Sequence, residues 1–256
     1  MTHNTWTQFL DQIGPAGISE AIVRRLTELI ASGEIPSGAR LPSEQELAAR
    51  FDVAPMTVRA ALQSLRSNGL VETRRGRHAG TYVQSDVVAA ISAGAEPKPT
   101  AYEFADFITW RIAVSGEAVA RAAKRITSEQ IPRLHHLQEI ADGGNLTDHE
   151  YRLADARLHL ALAELSDSRR LLDAERQIQA SMTEWLGNLG APDLESFPGA
   201  GHSQLIQAVC AGDSVLARER LREHAVVTLE GTSKLGWFSI RHEGEAGTNR
   251  SAAPTP

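Results

Sequence analysis

The sequence predicts a mainly α chain, in which three short helices closed by a β-hairpin precede an all-helical bundle of about six helices. Three observations carry this reading. Apolar residues recur at three- and four-residue spacing through most of the 256 residues. Ala, Leu, Arg and Glu dominate those segments, and aromatics make up only 5%. The exception is 70–83, where two short runs flank a glycine-containing loop and read as paired strands.

Each element follows in order. Residues 1–17 are an amino-terminal arm ending in the breaker cluster Gly14-Pro15-Ala16-Gly17. Ile18, Ile22, Leu26, Leu29 and Ile30 then share one face of a helix that stops near Gly33. Pro36, Gly38 and Pro42 make a loop, and Ser43-Glu44-Gln45-Glu46 is a capping box opening a second helix that reaches about Phe51. Asp52-Val53-Ala54 is a turn. Pro55 suits the first position of a third helix because it has no amide hydrogen to lose there. Val58, Ala61, Leu62 and Leu65 form that helix's apolar face, and Asn68-Gly69 is a left-handed stop. Strands at 70–73 and 80–83 enclose the loop Arg74-Arg75-Gly76-Arg77-His78-Ala79. Residues 84–100 show little pattern, end in Pro97-Lys98-Pro99 and read as a linker. From 101 to 238 the chain reads as helices separated near 127, 143, 167, 190–199 and 212, followed by a polar tail at 239–256 expected to be disordered.

Composition narrows the function classes. The chain is 42% apolar and 23% charged, enough for a buried core. It lacks both the roughly 18-residue apolar run of a membrane helix and the start of a secretory signal. Its one cysteine, Cys210, excludes an internal disulfide framework and a thiolate metal cluster. These features point to a cytoplasmic protein without membrane partners. The net charge of −6 is unevenly spread: Ala54–Val83 holds five arginines against Glu72 alone, a net of +4 that leaves −10 elsewhere. A small basic segment on an acidic body is suited to phosphate contacts.

Three helices, a tight turn between the second and third, and a hairpin describe a winged helix-turn-helix. The third helix fits a major groove, and hairpin arginines reach phosphates or the neighbouring minor groove. On this reading Thr57 and Arg59 face bases or phosphates, Ser43 anchors phosphate, and Arg74, Arg75 and Arg77 form the wing. The competing reading makes the arginines a solvated face of a small helical domain. The segments Gly33–Ala48, Thr57–Leu65, Asn68–Val71 and Gly80–Val83 strongly resemble the DNA-binding domain of the GntR family of bacterial transcription regulators, in register over 18–83. The resemblance implies a homodimer on a palindromic double-stranded operator, with DNA contacts at Thr57, Arg59 and the wing around Arg75 and Gly76. Ala54-Pro55 stands where many members have Ser-Arg, which puts the usual operator sequence in doubt.

Nine histidines are spread along the chain. Asp155 and His159 are one helical turn apart and project from one face. His202 precedes the apolar run Leu205-Ile206, and His224 lies midway along the last helix. One Asp and three His on facing helices form a donor set suited to a divalent first-row ion. The bland alternatives are a helix-surface hydrogen bond and satisfied core histidines. His135, His136 and His149 lie in polar contexts and read as surface residues.

The segments Asp155–Ala163, His202–Asp213 and Ala217–His224 look like the helical effector-binding domain of the FadR subfamily of GntR regulators. In metal-containing members one Asp and three His occupy these positions, which implies Asp155, His159, His202 and His224 as ligands, for zinc first and nickel or manganese as alternatives. Phe107–Ala123 is similar to the domain's first helix, and the resemblance implies that Arg111 points into the pocket; a surface salt bridge is its alternative. Gly201 and Ser168 depart from the subfamily, which usually has glutamate and asparagine there. The resemblance thus implies a ligand-responsive regulator, most often a repressor, whose operator affinity is controlled by a small carboxylate held by the metal and Arg111. The rival classes are a metal-dependent enzyme, disfavoured because no general base accompanies the ligand set, and a DNA-binding protein whose metal is only a staple.

Overall fold

A computed structural model describes residues 15–93, 99–143, 146–186 and 201–234. The expectations for 1–14 and for the tail at 239–256 lie outside the described residues. Helix α1 (Pro15–Ala31) begins at the proline of the breaker cluster, so the last three residues of the expected arm belong to the helix. It buries Ile22, Leu26 and Ile30 and leaves Ile18 partly exposed.

Helix α2 (Glu44–Phe51) carries the capping box in full: Ser43 Oγ accepts the Glu46 amide, and the Glu46 carboxylate accepts the Ser43 amide. Asp52, in a left-handed conformation (φ 54°), ends it. Helix α3 (Pro55–Ser67) has Pro55 at its start and buries Val58, Ala61, Leu62 and Leu65. Strands β1 (Val71–Arg74) and β2 (Gly80–Val83) are antiparallel, with Val71 opposite Val83 and Arg74 opposite Gly80. The preceding loop runs along the free edge of β2, where the Leu41 amide donates to Thr81 O and the Val83 amide to Ala39 O.

The expected linker departs from its description. Its first part forms helix α4 (Val87–Ala93), which buries Val87, Val88 and Ile91 in the same core as α1 and α3. Seven residues are too few to display a helical period, and so short a helix persists only because its apolar face is covered. Residues 94–98 are outside the described residues.

Among the described residues six helices follow: α5 (Ala101–Arg125), α6 (Ile131–Ala141), α7 (Asp148–Leu165), α8 (Arg169–Leu186), α9 (Ser203–Cys210) and α10 (Ser214–Lys234). Capping boxes at Thr100/Glu103 and Thr147/Glu150 start α5 and α7. The long α5 lies against α7, α8, α9 and α10. Val119, Leu158, Leu162, Ile206 and Leu221 belong to the core they enclose. A second cluster of Phe104, Phe107, Ile178 and Met182 joins α5 to α8.

Helix α8 also packs on α1 and α4. Thr183 Oγ1 donates to Ala31 O at 3.0 Å, Ser92 Oγ donates to Thr183 O at 3.0 Å, and Arg176 pairs with Glu34. Ala180 and Leu153 are packed against the amino-terminal core. The winged domain is therefore seated on the bundle chiefly through α8, with Leu153 of α7 beside it. No helix among the described residues is long and apolar enough to cross a membrane.

Candidate metal centre and nucleic-acid interface

The buried face of α7 places Asp155 and His159 inward, beside the core residues Leu158 and Leu162. His202 stands at the start of α9, and His224 projects inward from α10. One donor atom from each of the four residues lies within 4.8 Å of all the others. Donors around tetrahedral zinc stand roughly 3.3 Å apart, so the set closes on such an ion with shifts under about 1 Å per side chain. His202 Nε2 is 3.0 Å from Asp155 Oδ1, and the imidazole rings of His202 and His224 are 4.6 Å apart at their centroids. The residues that the sequence separates by 69 positions thus meet at one point.

The electrostatics suit cation binding. Burial alone would raise the Asp155 carboxyl, but Arg152, His159 and His202 outweigh it and hold the group well below the usual carboxylate range. Burial pushes the His159 imidazole well down, and Arg111 and the neighbouring histidines reinforce the shift against the pull of Asp155, so the neutral ring is favoured. A neutral imidazole and an ionised carboxylate are the forms that ligate metals. His202 differs. Burial opposes its charge, yet hydrogen bonds to Asp142 and Asp155 raise it to about 9.

Arg111 is buried, not a surface residue as its alternative reading has it. It is 1% exposed, and its NH2 lies 3.2 Å from His159 Nε2. Its Nε and NH1 are buried without a hydrogen-bond partner. Leaving charged donors unmet in this way costs free energy, which an anion bound beside the guanidinium would offset.

Several residues of the site were not singled out from the sequence. Arg152 contacts Asp155 and donates to Gln179 Oε1 at 2.8 Å. Gln179 donates to Glu175 Oε1 at 2.7 Å, and Ser115 Oγ donates to Glu175 Oε2 at 2.6 Å. Burial raises the Glu175 carboxyl despite these bonds. Asp142 lies 2.7 Å from His202 Nδ1. An arginine three residues before Asp155 is the one local signal available, since i and i+3 share a helical face.

His135 and His136 are exposed as expected, whereas His149 is half-buried and 2.7 Å from Asp86.

On the winged domain, α3 presents Met56, Arg59, Gln63 and Arg66 to solvent and half-buries Thr57. Arg59 donates through Nε and NH2 to Glu44 Oε2 at 3.0 and 2.8 Å. Ser43 Oγ is engaged by its own capping box, donating to Glu46 Oε2 at 2.8 Å. Arg75, Gly76 and Arg77 sit exposed at the hairpin tip, where Gly76 has φ 87°. Arg74 instead folds back onto β-strand neighbours, 4.3 Å above the Tyr82 ring and paired with Glu72. Arg40 was not anticipated: it borders the wing and donates to Ala79 O at 2.9 Å.

Residues 18–83 match the family described as bacterial regulatory proteins, gntR family, and residues 106–226 match the FCD domain. A putative HTH-type transcriptional regulator, RmpR of Mycobacterium gastri, is 33% identical over 217 residues, covering 80% of this chain and 77% of its own. The HTH-type transcriptional repressor NanR of Klebsiella aerogenes is 34% identical over 58% of each chain. A putative L-lactate dehydrogenase operon regulatory protein of Escherichia coli is 27% identical over 82% of this chain and 84% of its own. Among solved structures, Streptococcus agalactiae GntR aligns with 83% of this chain and 99% of its own at 28% identity and a TM-score of 0.44. With its winged helix-turn-helix and its helical FCD domain, the chain belongs to the GntR family and is a DNA-binding transcription regulator, not an enzyme.

Proposed function

We propose that the chain is a homodimeric repressor on a palindromic operator, released or retained by a small carboxylate effector bound at a divalent cation. Asp155, His159, His202 and His224 would hold that cation, zinc in the first instance. The bound cation would supply open positions for carboxylate oxygens. Arg111 would grip the same carboxylate through its fork. The observation that carries this reading is the Arg111 guanidinium, buried with two unmet nitrogens beside four convergent donors. One relative is named for an L-lactate dehydrogenase operon, and lactate carries the carboxylate and hydroxyl oxygens that a cation and an arginine together would bind.

On the operator, Thr57, Arg59, Arg75, Gly76 and Arg77 would make the contacts. Ser43 and Arg74 are the weaker members of the expected set because their polar atoms are engaged within the domain. The effector would act by linkage, favouring one arrangement of the paired winged domains over another. A tenfold change in operator affinity needs only about 1.4 kcal/mol of coupling. Helix α8 is the route, with Glu175 and Gln179 beside the site and Arg176 and Thr183 against the winged domain.

The test is a gel shift with the DNA flanking the chain's own gene, with zinc present and with or without lactate and related hydroxy acids. A specific shift altered by an acid in the unchanged protein, and unaltered in Arg111→Ala, is the expected result. Operator affinity indifferent to every acid would overturn the effector reading and leave the cation a structural staple.

A further inference from the structure

His202 alone of the four convergent residues stands at a helix end and not within a helix body. Its own side chain makes no capping hydrogen bond to its helix. The support comes from another helix. Asp142 caps the carboxyl end of α6 and turns its carboxylate onto His202. Oδ1 lies 2.7 Å from His202 Nδ1, and both oxygens lie 3.2 Å from the His202 amide. Gln138 Nε2 donates to Oδ2 at 3.0 Å and holds the carboxylate in turn. The His202 side chain is 1% exposed and that of Asp142 17%, so water competes little for these bonds.

We propose that Asp142 is a positioning residue for the cation site, keeping a proton on His202 Nδ1 and presenting Nε2 to the point where Asp155, His159 and His224 converge. The chemistry is general. An imidazole that ligates through one nitrogen must carry its proton on the other, and a carboxylate accepting that proton's hydrogen bond fixes the tautomer and the ring plane and makes the ligating nitrogen more basic. Asp142 also binds the α9 amide, so one carboxylate ties the end of α6 to the start of α9 and sets where His202 sits as well as how it is rotated.

The inference rests on the reading of the cluster as a cation site, and one experiment separates the two. Zinc affinity of the full chain is measured by competition with a chromogenic chelator for the unchanged protein, Asp142→Ala, Asp142→Asn and His159→Ala. The absorption spectrum of the cobalt-loaded proteins and the ring-nitrogen NMR shifts of His202 in the zinc-loaded proteins are recorded alongside. Asp142→Ala is expected to weaken zinc binding about 10- to 100-fold. Asp142→Asn, whose amide oxygen still accepts the Nδ1 proton, should lose less and keep the Nδ1-protonated signature. It also serves if the alanine variant fails to fold. A role limited to holding the fold would lower the melting temperature but leave the cobalt spectrum and the ring-nitrogen shifts unchanged, and that outcome would overturn the proposal. So would unchanged zinc affinity in Asp142→Ala where His159→Ala loses it. Absence of zinc binding by the unchanged protein would overturn the cation reading and this inference together.

Discussion

Glu34 and Arg176 meet in a two-pronged ion pair between the turn after α1 and the middle of α8, with Nε 2.7 Å from Oε2 and NH2 2.8 Å from Oε1. The residue before Arg176 is Glu175, buried beside the Asp/His cluster, so neighbouring positions on one helix face the two halves of the molecule. Arg176→Ala is expected to bring the operator affinities with and without zinc closer together. Its cost in stability should be about 1 kcal/mol or less, because the pair is partly solvated. Fluorescence anisotropy with labelled DNA measures the ratio. A ratio equal to that of the unchanged protein would show that the coupling runs elsewhere.

Arg59 and Glu44 make another ion pair, this time on the surface proposed to meet DNA. Arg59→Ala should lower DNA affinity by about 1–3 kcal/mol if the guanidinium reads a base. Glu44→Gln removes a negative charge from the same surface and releases Arg59, so it should strengthen binding at low salt, with the gain fading as salt rises. Titrations at two ionic strengths check both directions. Opposite signs to these would place the operator contact on another face.

Cation binding should be coupled to protons. In the cation-free chain His202 is raised to about 9 by its two carboxylates, so near neutral pH zinc must displace a proton from it. Calorimetry in buffers of different ionisation enthalpy should report release of about one proton per zinc. Zinc affinity should rise with pH until about 9 and then level off. The cation-free fold has the opposite dependence. The raised group stabilises it fully below the ordinary value of 6.5, and that contribution is lost as pH climbs through about 9. Proton release of zero would mean that His202 does not take part.

Gly33 couples backbone to packing at the domain junction. It has φ 73°, and a Cβ there would sit 3.1 Å from Arg157 Nε on α7. Gly33→Ala should therefore cost about 1 kcal/mol or more, from the left-handed backbone and the displaced arginine together. Chemical denaturation measures the loss. Full stability would mean that the turn relaxes at no cost.

Local signals carried most of the fold into the sequence. The capping box at Ser43, Pro55 at the head of α3 and the glycine after Asn68 each have a physical role within a few residues, the first two starting helices and the last following the end of one. Helix α4 shows the limit, since Val87, Val88 and Ile91 make a helix only against α1 and α8. In the bundle, the Asp155/His159 pair was legible from its one-turn spacing, but Asp142 was not. It reaches His202 across 60 positions, and an aspartate at the end of a helix looks like any other cap. The burial of Arg111 was legible only through the family resemblance, because α5 is enclosed by four other helices that the local sequence does not specify.

Helix α8 turns one side to the winged domain and another to the bundle, and this has a consequence for protein engineering. Biosensors are commonly assembled by grafting the ligand half of one regulator onto the DNA-reading half of another, with the cut placed in the tether. Here a cut at 94–98 would leave Arg176, Ala180 and Thr183 facing a foreign partner in place of Glu34, α4 and Ala31. A working hybrid would have to transplant that stripe along with the reader, or it would recognise its ligand and its operator without either event informing the other.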